Sequence, residues 1–421
     1  MAVKVIRSRE VYNIIRKTLE IMDDKVMKHC EITGYILYKM LEAENMYTKD
    51  ELAEYTMMGL VHDIGLIKTA YKKNLTEHIT KKVWAHSIYG YLFLKYLTPL
   101  GDKAQIVLYH HLDYDKTHGI PNEFWKITHY LALADKMDIY MRMNDDGSME
   151  QDYFERYRNI KFSEKALKAF YRANSRFNIM DKLQDGSYVE ELNTLLSSVT
   201  FSEEYKRDYL QMLIYAIDFR SEQTVLHTLA TRIFAVEIGK LMGMEETDQQ
   251  LLYYGALLHD IGKIAIPLSI LEAPRRLTDK EMRIMRAHVQ LTEMILNGVI
   301  TDEVLQAAIR HHEKLDGTGY PRGLKDEDLT QVQKVIAVAD ILSALYGKRS
   351  YKEAFDSEKV KSIMRSDAEN GKICFEATNI VINNFDEIIK SYELQREEAL
   401  GIYEIILAQY EEIYERFKRF E

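Results

Sequence analysis

Two stretches of the chain about 200 residues apart carry the same unusual residues in the same order, and a chain patterned in this way is expected to fold as two copies of one unit. In the first half the order is His29, His62-Asp63-Ile64-Gly65, His86, His110-His111 and Ala134-Asp135. In the second it is His227, His259-Asp260-Ile261-Gly262, His288, His311-His312 and Ala339-Asp340. The intervals nearly match: 33 and 32 residues from the first His to the His-Asp pair, 24 and 29 to the next His, 24 and 23 to the doublet. Flanking residues agree as well, since Gln105–His111 reads QIVLYHH where Gln306–His312 reads QAAIRHH.

Between these landmarks the apolar spacing is helical, as in Leu251, Leu252, Gly255 and Leu258 before His259. Strand alternation is hard to find, and five prolines and 19 glycines in 421 residues leave little to interrupt long helices. Thr48-Lys49-Asp50-Glu51 and Thr278-Asp279-Lys280-Glu281 have the hydroxyl and carboxylate spacing of a capping box at a helix start. The fold class expected is all-α: a helical bundle over residues 1–150, a helical connector over 151–215, a second bundle over 216–385 and a C-terminal amphipathic helix over 386–421. That last segment places Tyr403, Ile406, Tyr410, Ile413, Phe417 and Phe420 in a three-four alternation. Such a seam either packs on its own chain or pairs with a second copy as a homodimer.

Composition narrows the function classes. A balance of 56 basic against 66 acidic side chains, net −10, argues against a broad nucleic-acid-binding surface, so an anionic substrate would need locally placed cations. No run of about 18 apolar residues predicts a membrane span, and the N-terminus lacks the pattern of a secretory leader. Two cysteines, Cys30 and Cys374, form no disulfide framework and no metal-binding Cys pair. A cytoplasmic protein is expected.

Ten of the 13 histidines belong to the repeated constellation. Any one of them alone reads best as a hydrogen-bonded core residue; their joint recurrence reads as metal ligation. Five imidazoles and two carboxylates per half exceed the donors one tetrahedral ion uses, and suit two divalent transition-metal ions per half. Iron or manganese is expected first, with nickel, zinc or magnesium also compatible. Successive residues on a helix point about 100° apart, so neighbours such as His311 and His312 reach different ions. A carboxylate such as Asp260 can bridge ions roughly 3.5 to 4 Å apart. Two such ions lower the pKa of a shared water from about 15.7 towards about 7 and neutralise phosphoryl charge, so phosphoester hydrolysis is the natural chemistry.

These residues resemble the HD superfamily of metal-dependent phosphohydrolases, and residues 221 to 355 resemble its HD-GYP subfamily of cyclic di-GMP phosphodiesterases. The second resemblance rests on His259-Asp260-Ile261-Gly262-Lys263, His311-His312-Glu313, Asp316-Gly317-Thr318-Gly319-Tyr320-Pro321 and Val338-Ala339-Asp340. It implies metal ligands at His227, His259, Asp260, His288, His311, His312 and Asp340, with Asp260 bridging, and Lys263 beside the phosphate as a catalytic cation. It also implies that Gly317, Thr318, Gly319 and Tyr320 border the substrate. Lys334, where the family usually has Arg, and Arg349 with Tyr351 are further substrate-binding candidates. Gln223 stands where three-metal members carry Glu, which favours two metals.

Residues 25 to 140 resemble the wider superfamily, implying ligands at His29, His62, Asp63, His86, His110, His111 and Asp135. Leu66 replaces the cation found at Lys263, and the loop after the doublet, Asp115–Pro121, has Ile instead of Tyr. An altered catalyst or a regulatory half is expected there, with Lys68 or Lys116 as substitute cations. The resemblance thus implies a tandem-HD phosphodiesterase that opens cyclic di-GMP or a related cyclic dinucleotide to a linear product through a metal-bridging hydroxide. The competing readings are hydrolysis of another nucleotide, or nucleotide sensing without turnover.

Overall fold

The computed structural model describes residues 5–69, 83–143, 151–221, 225–347 and 356–420. Their regular structure is helical throughout, with two isolated β-bridges, Arg158 to Phe162 and Asp316 to Lys325. The chain divides into two compact units, one of Val11–Met212 with Ile405–Glu421 and the other of Leu213–Glu404 with Met1–Glu10.

In the first unit the central helix is Asp24–Glu42, buried along most of its length and packed between Lys49–Leu60 and Trp125–Met143. The predicted capping box forms at the start of Lys49–Leu60, where Thr48 and Glu51 exchange side-chain and backbone bonds. The segment expected to connect the two bundles contributes helices Glu164–Phe177 and Tyr188–Ser198 to this same unit. Tyr188–Ser198 is tied to the central helix by Glu191, which accepts from Tyr35 at 3.2 Å and pairs with Lys39 at 2.6 Å.

The second unit repeats the arrangement. Val225–Leu241 packs between Glu246–Leu258 and Gln331–Tyr346, and Asp279–Leu296 starts on the predicted Thr278/Glu281 capping box. The helix Phe385–Phe417 contributes to both units. Its earlier part sets Tyr392 on Phe234 and Tyr403 on Phe219 within the second. Its last turns set Tyr410 on Tyr89, ring centroids 4.2 Å apart, and Phe417 on Trp84 and Tyr109 within the first. Ile406, Ile413 and Phe417 are buried, so this part of the apolar seam packs on the chain's own residues, while Tyr403, Tyr410 and Phe420 are half-buried. No helix among the described residues is long and apolar enough to cross a membrane.

Candidate metal centres

In the second unit five separate elements deliver the predicted ligands to one point. His227 comes from Val225–Leu241, His259 and Asp260 from the turn that ends Glu246–Leu258, His288 from Asp279–Leu296, the doublet from the turn after Asp302–Ile309, and Asp340 from Gln331–Tyr346. The His-Asp turn lies close against the His288 helix because Gly262 has no side chain: a Cβ there would stand 2.1 Å from the His288 carbonyl oxygen. Gly65 meets His86 in the same way at 2.0 Å. The glycine shared by the two His-Asp-Ile-Gly runs is therefore a packing requirement of the site.

The two carboxylate oxygens of Asp260 face opposite ways. Oδ2 lies 3.0 Å from His259 Nε2 and 3.3 Å from His227 Nε2, while Oδ1 lies 3.2 Å from His288 Nε2. Asp340 Oδ1 stands 3.2 Å from His227 Nε2, and its Oδ2 stands 3.5 Å from His312 Nδ1. Two groups of donors result that could each hold an ion: His227, His259 and Asp260, and His288, His311 and His312.

The hydrogen bonds decide which ring nitrogens are available to a cation. His259, His288 and His311 each donate Nδ1–H to the carbonyl three residues earlier, on Ala256, Met285 and Ala308, all at 2.7 Å. A neutral imidazole bound in this way leaves its Nε2 lone pair free. The Nε2 atoms of His288 and His311 face each other at 3.3 Å, an arrangement that two lone pairs tolerate only with a cation between them. His259 Nε2 and Asp260 Oδ1 are buried without a hydrogen-bond partner, and such orphaned groups are costly. The donor set therefore fits divalent ions.

Electrostatics agree. Burial would push the Asp260 carboxyl up, but His259, Lys263 and hydrogen bonds from His227 hold it well below the usual carboxylate range. Asp340 is depressed against its burial chiefly by its hydrogen bond from His227. Burial pushes His311 well below the ordinary histidine value and His312 down to about 4, so both rings are neutral near pH 7 and able to ligate.

A cavity of about 910 Å³ opens on this cluster, lined by Asp260, Lys263, His288, His312, Tyr320 and Asp340, with Arg275 and Arg276 also in its wall. Lys263 donates to Asp260. Tyr320 packs on His312 with ring centroids 4.7 Å apart, and the Arg286 guanidinium lies 4.7 Å from the Tyr320 ring. The loop before Tyr320 is closely built: Gly317 adopts φ +78°, and a Cβ on Gly319 would stand 2.4 Å from the Lys314 amide nitrogen. Thr318 bonds Asp316, and the buried Glu313 accepts from the amides of Arg322 at 2.7 Å and Leu324 at 2.9 Å. Gly317, Thr318 and Gly319 thus shape the loop, and Tyr320 is its member on the cavity wall. Lys334 is not part of that wall, and its ammonium is engaged by Asp326. Arg349, Tyr351 and Gln223 lie outside the described residues.

The first unit assembles the corresponding set. His29 Nε2 lies 3.1 Å from Asp135 Oδ1, His86 Nε2 lies 3.2 Å from Asp63 Oδ1, and His62 and His110 donate Nδ1–H to the carbonyls of Gly59 and Val107. Two groups again could hold ions: His29, His62 and Asp135, and Asp63, His86, His110 and His111. Access separates the two centres. No ligand side chain of the first exceeds 3% exposure, whereas His312 and His227 of the second retain 28% and 17%. Leu66, at the position of Lys263, is fully buried, and Lys116 donates to the Phe420 carbonyl at 3.2 Å.

Three groups escaped the reading of the sequence. Asp138 holds His29 Nδ1 at 2.7 Å, where Ser343 holds His227 Nδ1 at 2.6 Å. Lys136 lies 3.1 Å from both His111 Nδ1 and Asp135 Oδ2. Asp138 and Ser343 each stand three residues beyond the last ligand, a spacing that would have found them.

Two helical bundles, each closing five histidines and two aspartates into one cluster, define the HD-domain class, and this chain belongs to it with one HD domain in each half. The HD-domain sequence pattern matches residues 26–143 and again 211–373. Over 396 residues the chain is 25% identical to 3'3'-cGAMP-specific phosphodiesterase 1 of Vibrio cholerae serotype O1, covering 89% of this chain and 91% of the relative. It is 34% identical over 201 residues to the cyclic di-GMP phosphodiesterase response regulator RpfG of Xanthomonas campestris pv. campestris, with 43% of this chain and 53% of the relative covered. The chain therefore spans about half the length of RpfG. In fold it is similar to a crystal structure of the cyclic GMP-AMP-specific phosphodiesterase V-cGAP3 of V. cholerae, with a TM-score of 0.55 at 17% identity, covering 90% of this chain and 98% of that one.

Proposed function

We propose that the second HD domain is an HD-GYP-type phosphodiesterase that opens a cyclic dinucleotide, cyclic di-GMP or 3'3'-cGAMP, to a linear product. The observation that carries this reading is the two-faced Asp260 carboxylate, set between two histidine groups and beside Lys263 on the wall of an open cavity. His227, His259 and Asp340 would hold one ion and His288, His311 and His312 the other, with Asp260 shared. Iron or manganese, when bound, supplies an activated water and neutralises charge on the scissile phosphate. Lys263 presents an ammonium where negative charge develops and is placed to deliver a proton towards the leaving oxygen. Tyr320 offers a ring face to a base or ribose, and Arg275 and Arg276 draw an anion in against the net negative charge of the chain. The relatives' names support the substrate class, and the loop Asp316–Pro321 supports the subfamily.

The test is turnover of cyclic di-GMP, 3'3'-cGAMP and guanosine tetraphosphate by the purified protein loaded with manganese or iron. A linear dinucleotide or its mononucleotides, formed by wild type and by His62→Ala but not by His259→Ala, is the expected result. Turnover that survives His259→Ala, or that is confined to guanosine tetraphosphate, overturns the assignment.

A further inference from the structure

We infer that Glu393 and Arg396, on the wall that the helix Phe385–Phe417 adds to the cavity of the second unit, select guanine in the cyclic dinucleotide. The inference rests on the substrate class proposed above. The cavity that opens on Asp260 and Lys263 is also lined by Tyr346, Tyr392, Glu393 and Arg396, and all four belong to the second unit. Tyr346 lies six residues beyond Asp340 on Gln331–Tyr346, about 9 Å along the axis at roughly 1.5 Å per residue, a span that a ribose and its base cover. Glu393 is fixed beside it. Its Oε1 accepts from the Tyr346 hydroxyl and its Oε2 from Arg396 Nη1, each at 3.0 Å. Tyr392 sets its ring 6.0 Å from that of Tyr346.

An ion pair at i,i+3 on a helix surface is commonplace, but this one lines a cavity and is anchored to a tyrosine of another helix. The Arg396 and Glu393 side chains keep 37% and 35% exposure, so a ligand can reach both. A carboxylate offers about four lone-pair sites and a guanidinium five N–H donors. The bonds to Tyr346, to Tyr392 and between the two use only part of these. Their chemistry discriminates between purines. Guanine presents N1–H and an N2 amino group, which a carboxylate accepts, whereas adenine presents at N1 a lone pair that a carboxylate repels. On the adjacent edge a guanidinium bonds guanine O6 and N7 together, and adenine replaces that O6 with a donor. Met282 and Met285 line the same cavity and offer apolar surface to a base. Glu393 and Arg396 also lie beyond the HD-domain pattern, which ends at residue 373, so the wall they build is separate from the part of the fold that gathers the metal ligands.

The test is equilibrium binding of cyclic di-GMP, 3'3'-cGAMP and cyclic di-AMP to the manganese-treated His259→Ala chain, read by isothermal titration calorimetry. Phosphate contacts are then common to all three ligands and only the base varies. Cyclic di-GMP is expected to bind at least about 10-fold more tightly than cyclic di-AMP, and adding Arg396→Met should remove most of that preference. Arg396→Lys should remove it too, because an ammonium lacks the two-donor fork. Glu393→Gln gives a result that misfolding cannot mimic: an amide bonds adenine through both its donor and its acceptor, so cyclic di-AMP should bind more tightly and cyclic di-GMP less. No binding, equal affinity for the three ligands, or a guanine preference that persists in both Arg396→Met and Glu393→Gln overturns the inference. Turnover by the otherwise wild-type chain reports separately on the hydrolase reading. Base-selective binding without hydrolysis sinks that reading and leaves the guanine site standing; hydrolysis without base selectivity does the reverse.

Discussion

At the scale of single residues, the two domains differ where they matter most by one side chain at each of a few positions. Lys263 and Leu66 stand at the same point of the repeat, one on a cavity wall and one fully buried. If the ammonium assists charge development or proton transfer, Lys263→Met should lower kcat by roughly 100-fold or more while leaving ion content unchanged. Steady-state kinetics paired with elemental analysis checks both halves of that statement. The ligands also set an acid limit. His111 and His312 are pushed down to about 3 and about 4, and His129 to about 4, chiefly by burial, so between pH 6.5 and 4 the unfolded chain binds protons that the folded chain refuses. Stability then rises with pH across that window. Asp218, pushed up to about 7 by burial, works in the opposite sense, as do His29 and His227, which their aspartate partners raise against their burial. The histidines that burial lowers, which also include His62, His110, His288 and His311, outnumber them. Chelator-treated protein should therefore unfold at lower urea at pH 5 than at pH 7, as followed by circular dichroism. The clusters of histidines and aspartates were legible in the sequence because repetition singles out residues that the fold brings together. Lys136 was not, since a lysine beside a ligand reads as a solvated side chain until its ammonium is found on an imidazole.

At the scale of elements, glycine and apolar stripe show two kinds of legibility. The His-Asp-Ile-Gly run announced a site, but the reason for its last residue needed the opposing backbone, the His288 carbonyl 2.1 Å from a virtual Cβ. Gly262→Ala should destabilise the second unit by about 1–3 kcal/mol through overpacking and lower its ion content, as read by denaturant melts and elemental analysis. The capping boxes at Thr48 and Thr278 were fully legible, because their partners lie within one turn. The seam on the last helix was legible as a stripe and not as a contact, since periodicity fixes a face and says nothing of what covers it. Its partners, Trp84, Tyr89 and Tyr109, lie some 300 residues away in sequence. Phe417→Ala, which empties a site only 2% exposed, should cost about 3–5 kcal/mol, and the loss should appear as a lower denaturation midpoint for the unit of Val11–Met212.

For the whole molecule, bound ions and folding are linked, because buried donors that lack partners in the metal-free protein find them only in the folded, loaded state. Chelation should lower the Tm measured by scanning calorimetry, and manganese should restore it, with the recovery growing with ion concentration. The all-helical class and the twofold repetition were readable from spacing alone. The way the chain is shared out between the units was not, since 151–215 reads as a helical connector and its residues up to Met212 belong to the first unit. The second unit takes in Met1–Glu10 and the first takes in Ile405–Glu421. A gene duplication read off the histidines would invite cutting the polypeptide near residue 212 to obtain two working pieces. Each piece so made would lack a strip of its own interior, so the ancestral repeat and the modern unit of folding no longer coincide.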